Sequence, residues 1–231
     1  MRAAVGDIPW VPIAAVTLVG AAFATALLIV VLGPLLRRYA LANPGARSSH
    51  QVPTPQWGGI AVITAATAAI CTSSLLLLPE VTTSSQLTTL LAAVILLACV
   101  GALADIRQVA VAARLLLQIL AVAAVVYQLP SDLHVLPVLP TWIERTLLVF
   151  GGVWFVNLVN FMDGLDLMTA AQVVPVTAAI VVIGLFGLLP SEAVVISLAI
   201  CGAMIGFSFF NRPVAKLFLG DVGSLPIGLV V

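Results

Sequence analysis

The sequence is short of charge. Nine Lys/Arg and nine Asp/Glu make up only 8% of its 231 residues, and the formal net charge is zero. Soluble domains carry about 25% charged residues, so a soluble globular chain and a disordered chain are both excluded. The absence of any basic excess excludes a nucleic-acid binder held by phosphate contacts. Two histidines and three cysteines supply no zinc-type ligand set. Cys71, Cys99 and Cys201 stand singly within apolar stretches and read as small hydrophobes. No G-x-S-x-G elbow accompanies Ser49 and His50, so a hydrolase triad has no support.

Hydrophobic residues are abundant, at 62% of the chain. A bilayer core about 30 Å thick takes about 20 apolar residues as helix. Residues 11–32, 58–78, 87–104, 109–129, 146–162, 167–190 and 193–211 fit that length, and only Arg114 breaks the fourth run. Ten residues follow Asp221, about 15 Å as helix, so an eighth helix starts and stops half-way. The runs are too long and too uniformly apolar for alternating barrel strands. The expectation is an all-α, polytopic membrane protein of seven spans plus the start of an eighth. It forms a single membrane-embedded domain, incomplete at its C-terminus. Arg37 and Arg38 flank the first run as a stop-transfer signal, against a cleaved signal peptide.

Basic residues orient such a chain. Arg37, Arg38, Arg47, Arg107, Arg114, Arg212 and Lys216 fall on one side, Arg2 and Arg145 on the other. Segments 33–57, 104–108, 163–166 and 211–221 are therefore expected in the cytoplasm, with the N-terminus outside. The outer loops carry Glu80, Asp132, Glu144 and Glu192 as ordinary interfacial charges, and His134 has no evident task.

The inner helix ends differ. Asp105 closes the third run, Asp163 and Asp166 close the fifth, and Asp221 opens the eighth. Asn157, Asn160, Asp163 and Asp166 recur every third residue and form a polar stripe on a helix. Polar groups in hydrocarbon need partners or a function; helix–helix hydrogen bonding and helix-end solvation would also account for them singly. Carboxylates converging near basic loops suit Mg²⁺, which takes oxygen ligands from one or two carboxylates plus substrate phosphates. The loop from Asn43 to Gly59 holds three prolines and three glycines, a structured turn offering Arg47, Ser48, Ser49 and His50 as phosphate donors.

Three stretches carry a resemblance. They are Arg47-Ser-Ser-His-Gln-Val-Pro-Thr-Pro-Gln-Trp-Gly-Gly59, Asn157-Leu-Val-Asn-Phe-Met-Asp-Gly-Leu-Asp166, and Asn211-Arg-Pro-Val-Ala-Lys-Leu-Phe-Leu-Gly-Asp-Val-Gly-Ser224. In order and spacing they resemble the polyprenyl-phosphate N-acetylhexosamine-1-phosphate transferases. That superfamily includes the lipid I-forming peptidoglycan translocase, and the first stretch looks most like the branch that starts O-antigen chains. The resemblance implies transfer of a sugar-1-phosphate from a UDP-N-acetylhexosamine to undecaprenyl phosphate, releasing UMP, at the bacterial inner membrane. It implies Mg²⁺, or Mn²⁺ in its place, held by Asp221 and Asp163, with Asp105, Asp163 and Asp166 as catalytic residues. Arg47, His50, Asn157, Asn160, Lys216, Gly220 and Gly223 would bind substrate phosphate, and a homodimer is left open.

The chain departs from the family's pattern at four places. Ala104-Asp105 replaces an Asp-Asp pair, Ala42 an acidic residue, Gln56-Trp57 an Arg-Gly, and Asp166-Leu167 an Asp-Gly. An inactive membrane scaffold and a small transporter are the alternative classes. Ten residues after Asp221 are expected to be too few to pack, so the chain alone should release little UMP. Asp at position 104 should not restore release, whereas a relative's C-terminal helices should.

Overall fold

The computed structural model describes residues 9–39, 41–42, 54–78, 84–107 and 109–231. Helix α1 runs Trp10–Ala14, a π-helical turn Ala15–Val19, and Gly20–Tyr39. It is followed by α2 (Gly58–Leu77), α3 (Ser85–Ile106), α4 (Val111–Tyr127), α5 (Thr141–Met162), α6 (Met168–Leu185), α7 (Ser191–Ser208) and α8 (Asp221–Val230). Ser84 caps α3 by accepting the Leu87 amide at 3.4 Å. Pro140 and Pro190 precede α5 and α7, where a missing N–H costs nothing.

The chain is an all-α, multi-pass membrane protein. Among the described residues six helices, α1 to α3 and α5 to α7, are long and apolar enough to cross a bilayer. The fourth expected span is α4, whose 17 residues stand at the lower limit of about 17–25. The fifth begins earlier than expected, at Thr141, which draws Glu144 and Arg145 into the helix.

Small residues set the helix spacing. Gly202 and Gly206, one helical turn apart on α7, lie against the Leu18 and Ala22 carbonyls of α1, where a Cβ would collide. Close backbone approach of this kind drives helix association where lipid tails offer no hydrophobic force. Buried Thr17, in the π-helical turn, shares a 2.5 Å hydrogen bond with Ser73 of α2.

Helix α8 is the centre of the molecule, not the unpacked stub its length suggests. Every residue from Val222 to Gly228 is buried. Leu225 joins the apolar cluster of α3, α4 and α5, and Ile227 joins the larger cluster built on α1, α2, α6 and α7. Glycines make the room. Gly59 of α2 abuts Gly223, Gly101 of α3 abuts the Asp221 carbonyl, and a Cβ on Gly228 would stand 2.8 Å from Val156 of α5.

A two-residue antiparallel pair, β1 (Leu41–Ala42) with β2 (Thr54–Pro55), brackets the loop that carries Arg47 and His50. Those two residues lie outside the described residues. From β2 the chain meets the segment leading into α8: Phe218 donates to the Pro55 carbonyl (2.8 Å), Gly58 to Phe218 (2.9 Å) and Gly59 to Leu219 (2.8 Å). This backbone ladder fixes where α8 begins.

Candidate active site

The four inner-end carboxylates separate into a cluster and an anchor. Asp105, in the last turn of α3, turns its carboxylate onto the start of α8 and accepts the Asp221 and Val222 amides, each at 3.3 Å. The first amides of a helix have no intrahelical partner and favour a negative charge. Gly220 makes this possible: it sits at φ 77°, and a Cβ there would lie 2.9 Å from Asp105 Oδ2. Asp221 is the first residue of α8. Its Oδ1 accepts Asn160 Nδ2 at 2.7 Å, and its Oδ2 is 2.9 Å from Arg114 Nη2. Asn160 also donates to Ser224 Oγ (2.8 Å), which in turn donates to the Gly220 carbonyl (3.0 Å).

Asp163 stands just past the end of α5 and accepts Thr169 Oγ1 at 2.7 Å. Burial raises its carboxyl to about 7, opposed by hydrogen bonds from Thr169 and Gly220 and reinforced by the charges of Asp221 and Asp105. The three carboxylates therefore share one electrostatic neighbourhood. Asp166 does something else. Its Oδ2 accepts the Ala215 amide at 3.0 Å, tying the turn after α5 to the segment before α8. Asn211 completes that tie, accepting the Leu167 amide (2.8 Å) and donating to the Leu217 carbonyl (2.9 Å).

Comparison with known proteins places the chain in a family. The sequence model described as glycosyl transferase family 4 covers residues 87–231, which include every carboxylate above. The chain belongs to that family. Curated relatives bear the name phospho-N-acetylmuramoyl-pentapeptide-transferase. That of Oceanobacillus iheyensis is 39% identical over 87 residues, 38% of this chain and 27% of the relative. That of Leuconostoc citreum is 42% identical over 84 residues, 35% of this chain and 26% of the relative. That of Streptococcus pyogenes is 36% identical over 107 residues, 46% of this chain and 28% of the relative. The chain spans about a quarter of the length of the curated relatives it matches.

Within this family 4 chain, several sequence expectations change. Asn157 Nδ2 donates to Gln118 Oε1 of α4 (2.7 Å) and to the Val153 carbonyl (2.8 Å). Lys216 is exposed, and its backbone amide donates to the Phe210 carbonyl. Gly220 and Gly223 act through close packing. Glu144 is not an interfacial charge: it is 1% exposed, takes His134 Nδ1 at 2.8 Å, and accepts the Val135 and Leu136 amides. Buried Arg145 donates to the carbonyls of Val126, Leu129, Pro130 and Leu133. These adjacent side chains clamp the loop between α4 and α5.

Arg114 is the site residue that sequence reasoning passed over. The signal was present, since it alone interrupts an apolar run, and a charge in a span needs a reason.

Among the described residues, no group of three or more His, Cys, Asp or Glu is arranged as a metal-ligand set. The donor chemistry still fits Mg²⁺ in its commoner mode. Asp221 and Asp163 are hard oxygen donors, and Asp221 pairs with the Arg114 guanidinium.

An apolar groove of about 580 Å³ runs between α4 and α5, lined by Leu115, Ile119, Tyr127, Phe150, Trp154 and Asn157. From Leu115 to Tyr127 it follows α4 for about 18 Å. Leu115 adjoins Arg114 in sequence, and Asn157 lies one turn before Asn160 on α5.

Proposed function

We propose that this chain carries the core of an enzyme that transfers sugar-1-phosphate from a UDP-N-acetylhexosamine to undecaprenyl phosphate. The observation that carries the reading is Asp221, held between Arg114 and Asn160 at the start of α8. An acidic site at one helix end, on a chain that also carries an apolar groove between α4 and α5, suits a substrate with a charged head and a prenyl tail.

An acceptor phosphate oxygen attacks the sugar-linked phosphorus. The bond from that phosphorus to the bridging oxygen breaks, and UMP leaves with the electron pair. Asp221 and Asp163 would hold Mg²⁺, which when bound offsets negative charge on the diphosphate. Arg114 places a guanidinium where phosphate oxygens gather. Asn160 and Ser224 hold Asp221 in one rotamer. Asp105, whose oxygens both engage α8 amides, is a positioning residue that acts through Asp221. No base is needed at Ala104, because a phosphate monoester is largely ionised at neutral pH, with a second pKa of about 6. The likeness to phospho-N-acetylmuramoyl-pentapeptide-transferases favours an N-acetylmuramoyl sugar, and the Arg47–Gly59 stretch favours an O-antigen sugar; N-acetylhexosamine is common to both.

The test is sugar transfer by the purified chain in lipid nanodiscs with Mg²⁺, undecaprenyl phosphate and a panel of UDP-N-acetylhexosamines. Because α8 is packed, the ground for expecting little UMP from the chain alone falls away: lipid-linked sugar and UMP should appear one for one, and D221N should abolish both. Ala104 favours the scaffold reading, since it leaves Asp105 as the remaining carboxylate there and the α8 amides engage it. If no sugar reaches lipid with any donor, the scaffold reading replaces the enzyme.

A further inference from the structure

A second cleft lies on another side of the molecule. It is formed by α1 and the segment leading to α8, holds about 590 Å³, and is lined by Ile29, Val30, Gly33, Pro34, Phe209 and Lys216, among others. That volume is typical of ligand sites, about 300–1,000 Å³. It shares no lining residue with the α4–α5 groove, so a prenyl chain in one leaves the other open.

The cleft has an apolar wall and a basic rim. Ile29 and Val30 lie on the membrane-spanning part of α1. No acidic residue lines the cleft among the described residues. Lys216 lines it, and the Arg212 guanidinium sits 4.8 Å over the ring of Phe209, itself a lining residue. A cation-rimmed pocket between membrane helices is the arrangement that receives anionic lipid headgroups.

We propose that this cleft binds an anionic phospholipid, its acyl chain against Ile29 and Val30 and its phosphate at Lys216. Charge complementarity selects the headgroup: a zwitterionic lipid gains nothing from an all-basic rim. The apolar wall selects a lipid over a free phosphate ion, which would leave Ile29 and Val30 uncovered. The occupant would also steady the chain that sets the cluster. Lys216 precedes Asp221 by five residues, in the segment tied down by Asp166 and Asn211.

The proposal is independent of sugar transfer and is tested by binding. The full chain, purified in detergent, is offered phosphatidylglycerol, phosphatidylcholine with the same acyl chains, undecaprenyl phosphate or inorganic phosphate, and retention is read by native mass spectrometry. Phosphatidylglycerol should be retained at least tenfold better than phosphatidylcholine, and K216E should bring it to the phosphatidylcholine level. G33L tests the wall separately. A Cβ at Gly33 meets no atom within 4 Å, so leucine enters the cleft without a clash and should cut retention of phosphatidylglycerol while leaving the melting temperature unchanged.

Equal retention of the two phospholipids by the unmodified chain overturns the proposal. So does displacement of phosphatidylglycerol by an equimolar amount of undecaprenyl phosphate, or by inorganic phosphate alone. Should K216E fail to fold, G33L decides: unchanged phosphatidylglycerol retention in a folded G33L chain overturns the site.

Discussion

Arg114 Nη2 stands 2.9 Å from Asp221 Oδ2, joining the one charge inside α4 to the first residue of α8. Both side chains are about a quarter exposed, so the pair contributes little to stability, about 0.2–1 kcal/mol. Its weight lies in where it holds Asp221. Arg114→Ala should therefore shift the melting temperature by no more than a few degrees while lowering sugar transfer about 10²–10³-fold. Arg114→Lys should recover part of the rate, because it keeps the charge and loses the planar fork. A parallel loss of folding and activity would assign the pair to structure instead.

The close contact between Gly101 and the Asp221 carbonyl makes a packing prediction. Gly101→Ala places a methyl where α8 now lies, and overpacking of this kind costs about 1–3 kcal/mol. Thermal unfolding in detergent should register that loss. Gly151 has open space around it, so Gly151→Ala is the matched control and should be neutral or slightly stabilising.

Leu167 and Trp57 hold left-handed backbone, at φ 60° and φ 86°. They are also the residues that stand where the resembled motifs have glycine. An L side chain in that region costs about 1–2 kcal/mol. At position 167, Gly should therefore be more stable than Ala by about 1 kcal/mol, the reverse of the order in ordinary helix. Both variants lack the leucine side chain, so the comparison isolates the backbone. Ala equal to or better than Gly in thermal unfolding would remove the strain argument.

The basic residues, seven against two, predict an orientation that fusions can check. A reporter fused after Arg212 should read cytoplasmic, and one fused at Ser131 external. A cytoplasmic signal at Ser131 would reverse the placement of the carboxylate cluster.

The sequence by itself determined the class and most of the helices. Runs of about 20 apolar residues have one solution in lipid, because each backbone polar group must find its partner within its own helix. Motif spacing also brought Asp105, Asp163 and Asp221 to one end of the bundle. Tertiary structure decided the rest, because partners distant in the chain meet only through packing. Asp105 caps α8 rather than facing outward, since Gly101 and Gly220 let α8 approach α3. Asp166 accepts the Ala215 amide, since the turn after α5 brings it to the segment before α8. Glu144, read as a surface group, is buried and pairs with the more exposed His134 because α5 starts earlier than its apolar run. The ten residues of α8, too short to predict as packed, become the core because glycines on both sides of the contact remove the Cβ atoms that would keep the helices apart.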